Sequence, residues 1–322
     1  MPVGCPMTVA VVASAFGGPD ALSVIDEAVG EPKPGQVLLE VRAAGTNPVD
    51  YKMYSGAYGR DAAQLPIHLG YEAAGVVSAL GSGDVEGPVG PIHVGDEVIA
   101  YPVSGAYAAQ VVAPAQSVVP KPSTLSFEQA AGLLLAGTTG AHALHVTGIG
   151  SGDTVVVHGA SGGVGHVTVQ LARNAGARVI ATASQSAHAY LRELGAETVA
   201  YGDGVLERIA DLAPLGVDAA IDTVGTEEAL DVSVALVGDR NRIVTIAAFQ
   251  RGVELGIKVI GAGPGGDPGT EFRATARLDL LRQAEAGRLR VRVVGAYPLK
   301  EAASAHRELL SGHTHGKIVL VP

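Results

Sequence analysis

The sequence predicts an α/β protein, with a doubly wound parallel sheet covered by helices plus a β-rich part. Three observations predict it. Between about residues 154 and 247, short apolar strands alternate with helical segments, the pattern of parallel β-α-β units. Before residue 126 the chain consists of short apolar runs between Gly and Pro clusters, with few helices. At residues 159–165 a glycine-dense turn joins a strand directly to a helix.

Composition bounds what the chain can do. Its 322 residues suit about two domains, and 47% hydrophobic against 17% charged residues supports a large core. There is no Trp, so that core is mostly Ala, Val, Leu and Ile, and 44 glycines supply many tight turns. Lys and Arg number 22 against 32 Asp and Glu, a net charge of 22 − 32 = −10 without basic clusters, which argues against nucleic acid as a partner. The single Cys5 excludes an intrachain disulfide framework and a Cys-based zinc cluster, and fits the reducing cytoplasm. Residues 7–15 are apolar and end in Ala13-Ser14-Ala15 like a signal-peptidase site. The first basic residue is Lys33, however, so a first β-strand is expected there. Residues 129–152 contain no Asp, Glu, Lys or Arg, a stretch long enough to span a bilayer. Its six glycines, with His142 and His145, point instead to a buried helix plus a loop, and no membrane partner is expected.

In chain order, strands are expected at residues 37–41 after the turn "EPKPG", at 73–79 and at 97–101, with an exposed loop at 81–95. Ser126 is an N-cap opening a helical segment that runs to about residue 146. A strand at 154–158, a helix at 164–175, a strand at 178–183, a helix at 187–194 and a strand at 198–201 follow, then strands at 217–222 and 242–247. Beyond the turn-rich "GAGPGGDPG" come a helix at 270–286, a strand, a helix at 300–310 and a last strand at 317–321.

The strongest local signal is "VVVHGASGGVGHVTVQLARNAGA" (residues 155–177). Ala160, Gly162 and Gly165 stand at the spacing of the dinucleotide fingerprint, with Ala in the first place. A pyrophosphate is held by the free N–H groups at a helix N-terminus. A Cβ at Gly162 or Gly163 would keep the diphosphate from the backbone, while Gly165 lets the helix pack close to the sheet. Ala160, Ser161, Gly162, Gly163, Val164 and Gly165 are therefore the expected cofactor-binding loop, against the alternative of a purely structural glycine turn. An NAD site places Asp or Glu after the second strand for the ribose 2′-hydroxyl. Here that strand runs into Ser184-Gln185-Ser186, and the first acid is Glu193. With no carboxylate to repel a 2′-phosphate, NADPH is the expected cofactor. Ser184 and Ser186 can donate to the phosphate, and His188 and Tyr201 could reach it; His188 reads equally as an ordinary surface residue.

Several stretches together carry a resemblance that covers essentially the whole chain: "TNPVDYKMYSGAYG" (46–59), "LPIHLGYEAAGVV" (65–77), "VGDEV" (94–98), "LAGTTGAHAL" (135–144), "HGASGGVG" (158–165) and "GKIVL" (316–320). The chain resembles the medium-chain dehydrogenase/reductase superfamily. The resemblance implies a Rossmann-type domain plus a GroES-like β-rich catalytic domain: residues 1–132 as its first part, 133–262 as the NADPH-binding domain and 263–322 as the C-terminal return. Zinc-dependent alcohol dehydrogenases of that superfamily carry a Cys ligand where this chain has Asn47, a His where it has Tyr71, and a four-Cys zinc lobe. Tetrahedral zinc needs three or four N or S ligands. His142 and His145, or His313 and His315, lack an acidic or thiol companion. The chain is thus similar to the zinc-independent quinone oxidoreductases, the zeta-crystallin-like branch, and no metal is expected. The resemblance further implies that Asn47 lines the nicotinamide and substrate cleft and that Tyr58 is the proton donor. Tyr54 and Tyr71 would line the substrate, and Asp50 would orient the loop. Thr139, Ala248, Phe249 and Gly263 would border the nicotinamide end. Lys317 would approach the cofactor across the domain cleft, and a homodimer would form through a strand at residues 253–260.

Absence of a metal constrains the chemistry. Reducing a plain ketone generates alkoxide character that zinc normally stabilises. Quinones and α,β-unsaturated carbonyls delocalise the incoming charge themselves. Alignment of the nicotinamide with the acceptor and a few hydrogen-bond donors then suffice. The expected activity is NADPH-dependent reduction of a small quinone or enone. The alternatives are an enoyl-thioester or polyketide-type enoyl reductase and, in another class, a non-catalytic NADPH-binding redox sensor or structural protein.

Overall fold

The computed structural model describes residues 7–322; Cys5 lies outside them. The chain forms two compact units, one comprising the chain up to Leu135 with Val291–Pro322, the other Ala136–Arg290. The return to the first unit therefore begins at Val291 rather than at residue 263, and residues 263–290 belong with the second unit.

The first unit is β-rich. β1 (Met7–Ala13) pairs antiparallel with β2 (Leu22–Ala28) over its whole length, confirming the first strand. β3 (Gln36–Gly45) is the longest strand, followed by helix α1 (Pro48–Ser55), β4 (Ile67–His68) and β5 (Ala73–Leu80). The expected exposed loop at 81–95 holds a small hairpin, β6 (Glu86–Gly87) against β7 (Gly90–Pro91). Val85 and Ile92 flank it and are buried, so this segment covers part of the core instead of standing off it. β8 (Glu97–Ala100), β9 (Gln110–Pro114), β10 (Val118–Pro120) and the short helix α2 (Phe127–Ala131) complete this stretch. Ser126 caps α2 in a capping box with Gln129. The helical segment expected to run on to residue 146 is interrupted at Gly132, and α3 (Leu134–Thr147) begins afresh.

The second unit is the predicted parallel sheet. In chain order it contains β11 (Thr154–His158), α4 (Gly163–Asn174), β12 (Arg178–Ala183), α5 (His188–Glu193), β13 (Glu197–Ala200), α6 (Val205–Leu212), β14 (Ala219–Asp222), α7 (Glu227–Leu236), β15 (Ile243–Thr245), α8 (Phe249–Glu254), β16 (Lys258–Val259) and α9 (Thr270–Glu285). The strand order is β13-β12-β11-β14-β15-β16, all parallel. Val155 and Val157 pack into one apolar cluster and Val156 into another, as expected of strands buried on both faces. The strand expected at 253–260 is a misreading of the apolar alternation. Val253 lies in α8, Gly256 at φ 67 turns the chain after it, and the strand is no more than Lys258–Val259 at the sheet edge, with Ile260 adding a single bridge to Asp267. Ile257 is buried under the helices, which is where the alternation came from.

The chain then returns to the first unit through β17 (Val293–Pro298), α10 (Ala302–Leu310) and β18 (Lys317–Val321). β18 inserts between β17 and β3 in the sheet β10-β8-β5-β3-β18-β17, with β9 also on β3. Among the described residues no helix is long and apolar enough to cross a membrane.

Candidate cofactor site and active-site cluster

In the second unit the chain forms a glycine turn at the carboxyl end of the sheet. β11 ends at His158, and α4 starts at Gly163 behind the N-cap Gly162, which has no side chain to cap the first turn. The helix N-terminus thus keeps its backbone N–H groups and positive dipole end for an anion. Two glycines here differ in kind. A Cβ on Gly165 would sit 2.3 Å from the Gly159 carbonyl oxygen and 2.7 Å from Ala160 Cα, so the fold itself demands glycine there. A Cβ on Gly162 would meet nothing nearer than 3.4 Å, and its φ of −69° suits any residue. The protein leaves space at Gly162 that a diphosphate fits. Ala160 is fully buried in the sheet core, and Ser161, Gly163 and Val164 are half-buried around the turn.

The groups beyond β12 are half-buried to exposed. Ser184 stands at the N-cap position of a short turn without a side-chain cap, its hydroxyl 3.0 Å from that of Ser186. His188 Nε2 is 3.2 Å from the Ala183 carbonyl oxygen, and Tyr201 is exposed. Thr139 on α3 is buried, and its hydroxyl accepts from Arg273 at 3.2 Å. Phe249 opens α8 after Ala248, and its ring lies against Gly263, where a Cβ would come within 2.7 Å of it.

In the first unit a buried polar cluster surrounds Asn47. Lys317 Nζ donates to the Thr46 carbonyl at 2.9 Å, to Asn47 Oδ1 at 2.6 Å and to Glu72 Oε1 at 3.0 Å. Asn47 Nδ2 donates to the same Glu72 oxygen at 3.1 Å and to the Gly45 carbonyl at 3.4 Å. Glu72 Oε2 accepts the Leu135 N–H at the start of α3. The ion pair is fully dehydrated, with side-chain exposures of 3% and 0%. Asn47 and Lys317 are therefore turned on one another and on Glu72 rather than outward. Asp50 caps α1, accepting from Asn47 N at 2.8 Å, Gly70 N at 3.1 Å and the Tyr107 hydroxyl at 3.1 Å. Gly70 must be glycine: its φ is 91°, and a Cβ would lie 2.8 Å from Tyr107 N. Burial pushes the Asp50 carboxyl up to about 7, opposed by the hydrogen bonds from Asn47 and Tyr107, the Lys317 charge and the Gly70 N–H.

The tyrosines separate. Tyr54, expected at the substrate, is fully buried in the apolar core with its hydroxyl 2.8 Å from His306 Nδ1. Its place one turn along α1 from Asp50 points the ring inward, toward α10. Tyr71 is half-buried and Tyr58 is 40% exposed beyond the C-terminus of α1; burial raises both phenols. Sequence reasoning missed Glu72 as the counter-ion of Lys317, although it stands in the "GYE" triplet. It also missed Tyr107 and His306, which lie 57 and 199 residues apart from their partners and give no local signal.

A doubly wound sheet with an uncapped, glycine-built helix terminus, in a chain that also carries a GroES-like unit, defines a nicotinamide-dependent dehydrogenase or reductase. The family descriptions "Alcohol dehydrogenase GroES-like domain" and "Zinc-binding dehydrogenase" match residues 33–123 and 163–263. The quinone oxidoreductase of Mus musculus is 34% identical over 95% of this chain and 95% of its own. The NADPH-dependent alkenal/one oxidoreductase of Arabidopsis thaliana is 31% identical over 97% of this chain and 78% of its own. The crystal structure of Escherichia coli quinone oxidoreductase complexed with NADPH superposes with a TM-score of 0.84, at 28% identity, over 98% of this chain and 100% of that one. The chain belongs to the medium-chain dehydrogenase/reductase superfamily, in its quinone oxidoreductase branch. Zinc, named in one family description, does not fit the donors present. No three His, Cys, Asp or Glu side chains converge among the described residues, and the Asn47 amide is spent on Lys317, Glu72 and Gly45.

Proposed function

We propose that this chain reduces quinones and α,β-unsaturated carbonyls with NADPH. The observation that carries this reading is the α4 terminus: an uncapped first turn with room at Gly162, followed by a second strand that ends in Ser184 instead of a carboxylate. Bound there, NADPH supplies a hydride from its nicotinamide ring. The residues of this chain hold the pyrophosphate on the α4 N–H groups and offer the 2′-phosphate hydroxyl donors from Ser184 and Ser186. With no metal-donor set, the acceptor must carry the incoming charge itself, which an enolate or a hydroquinone anion does. Tyr58 is the proposed proton donor. Tyr58 is 40% exposed and partial burial raises its phenol, so it stays protonated at neutral pH and can give a proton to the reduced acceptor. The same reading includes a homodimer in the cytoplasm.

NADPH oxidation is to be followed with 9,10-phenanthrenequinone, with crotonyl-CoA and without acceptor. The quinone is expected to be reduced fastest. Faster turnover of crotonyl-CoA would make the chain an enoyl-thioester reductase, and tight NADPH binding without turnover would make it a sensor. NADPH is expected to be preferred over NADH, and Ser184→Asp to erase or reverse the preference by placing a carboxylate against the 2′-phosphate. A wild-type preference for NADH would refute the cofactor assignment. Tyr58→Phe is expected to lower enone reduction by about 100-fold and quinone reduction much less, because a hydroquinone anion needs less help with protonation. Equal losses for both acceptors would remove Tyr58 from the chemistry.

A further inference from the structure

Behind Asn47 runs a buried polar chain that the proposed reaction does not use. Tyr54 Oη lies 2.8 Å from His306 Nδ1, His306 Nε2 lies 3.0 Å from Tyr107 Oη, and Tyr107 donates to Asp50 Oδ2 at 3.1 Å. All four side chains are buried, and the rings contact one another, Tyr54 stacked on His306 and Tyr107 edge-on to it. Burial pulls His306 down to about 4, so its imidazole is neutral, with one donor and one acceptor nitrogen. An ionised Asp50 only accepts, so the Tyr107 proton points at it. The Tyr107 oxygen then accepts from His306 Nε2–H, which leaves Nδ1 to accept the Tyr54 proton. Each bond fixes the direction of the next. At the far end Asp50 grips the backbone N–H groups of Asn47 and Gly70, the two turns that present Asn47, Tyr71 and Glu72.

We propose that Tyr107 and His306 are positioning residues for the Asn47 turn, holding Asp50 through this one-way chain in the ionised form that clamps Asn47 and Gly70. The titratable and charged groups facing Asp50 are Tyr54 on its own helix, Tyr107, Lys317 on β18 and Tyr71; Glu72 faces Tyr107. As pH falls through about 7, Asp50 takes up a proton. Tyr107 passes its proton to Asp50 and takes the one on His306 Nε2. The added proton ends on His306 Nδ1, which then donates to the hydroxyl oxygen of Tyr54. One proton enters in all, and His306 changes from the Nε2–H to the Nδ1–H tautomer. A protonated Asp50 is a neutral and weaker acceptor for the Asn47 and Gly70 N–H groups, so the clamp loosens and kcat/KM falls on the acid side.

The kinetic consequence rests on the reductase reading; the tautomer change does not. The test is 15N NMR of His306 in the full-length protein from about pH 5 to about pH 9, beside the pH profile of kcat/KM for 9,10-phenanthrenequinone. The expected result is an Nε2–H tautomer above about pH 7 that gives way to Nδ1–H below it, with the acid limb of kcat/KM at the same midpoint. Tyr107→Phe removes a hydrogen bond to the charged carboxyl, so the acid limb moves up by about one pH unit. His306→Gln, whose amide can donate to Tyr107 and accept from Tyr54, keeps the wild-type limb. A His306 that is an imidazolium or an Nδ1–H tautomer at the alkaline end, or a folded Tyr107→Phe with an unmoved limb, would overturn the proposal. If Tyr107→Phe does not fold, the wild-type tautomer titration decides alone. If no acceptor turns over, the same titration decides while the reductase reading fails separately.

Discussion

Gly165→Ala is expected to destabilise the second unit by about 3 kcal/mol, although alanine is ordinarily the better helix former by up to about 1 kcal/mol. Gly165 lies inside α4, and the new methyl would meet backbone at 2.3 Å and 2.7 Å, atoms that can move only by pushing the helix off the sheet. Gly162→Ala has the opposite profile. Its Cβ finds room within the protein, so the unfolding midpoint should stay within experimental error of wild type, while NADPH affinity falls at least about tenfold. Denaturant unfolding and NADPH titration by fluorescence, run on both variants, separate the two roles. A Gly162→Ala variant that binds NADPH like wild type would mean that the diphosphate does not rest on this turn.

Lys317→Met is expected to cost about 3–5 kcal/mol, because it strands the Glu72 carboxylate without its cation at 0% exposure. It also removes the donor to the Thr46 carbonyl and to Asn47 Oδ1, which frees the Asn47 amide from one of its three partners. Adding Glu72→Gln should recover more than about 1 kcal/mol of that loss. A neutral amide still accepts the Leu135 N–H at the start of α3 and no longer carries an unpaired charge. Chemical unfolding of the two single variants and the double measures this coupling. A loss below about 1 kcal/mol for Lys317→Met would show that the pair is hydrated in solution and worth no more than a surface salt bridge.

These two predictions draw on different levels of the molecule. The roles of Gly162 and Gly165 are local: strand, turn and helix are consecutive in the chain, and the spacing of Ala160, Gly162 and Gly165 is sufficient to infer the phosphate turn. The strands β11 to β15 and the helices α4 and α5 were legible for the same reason, since periodicity and punctuation act over a few residues; α6 and α7 were not read. Where periodicity misled, the cause was also physical. Val253, Leu255 and Ile257 alternate like a strand, but Gly256 at positive φ ends α8 among them, and burial beneath helices accounts for the apolar side chains. Tyr54 was placed at the substrate by its neighbours in the sequence, yet the pitch of α1 carries its ring into the core.

By itself, then, the sequence determined the fold class, the glycine turn that opens α4 and the missing acid behind β12. Each of these is carried by residue type and short-range spacing. Only the tertiary structure decided what surrounds Asn47. Lys317 reaches Glu72 and Asn47 because β18 returns from the far end of the chain to lie beside β3, and His306 joins Tyr54 to Tyr107 because α10 packs on the same unit. Contacts between residues some 200 to 270 positions apart are fixed by packing of whole elements, for which no local pattern exists.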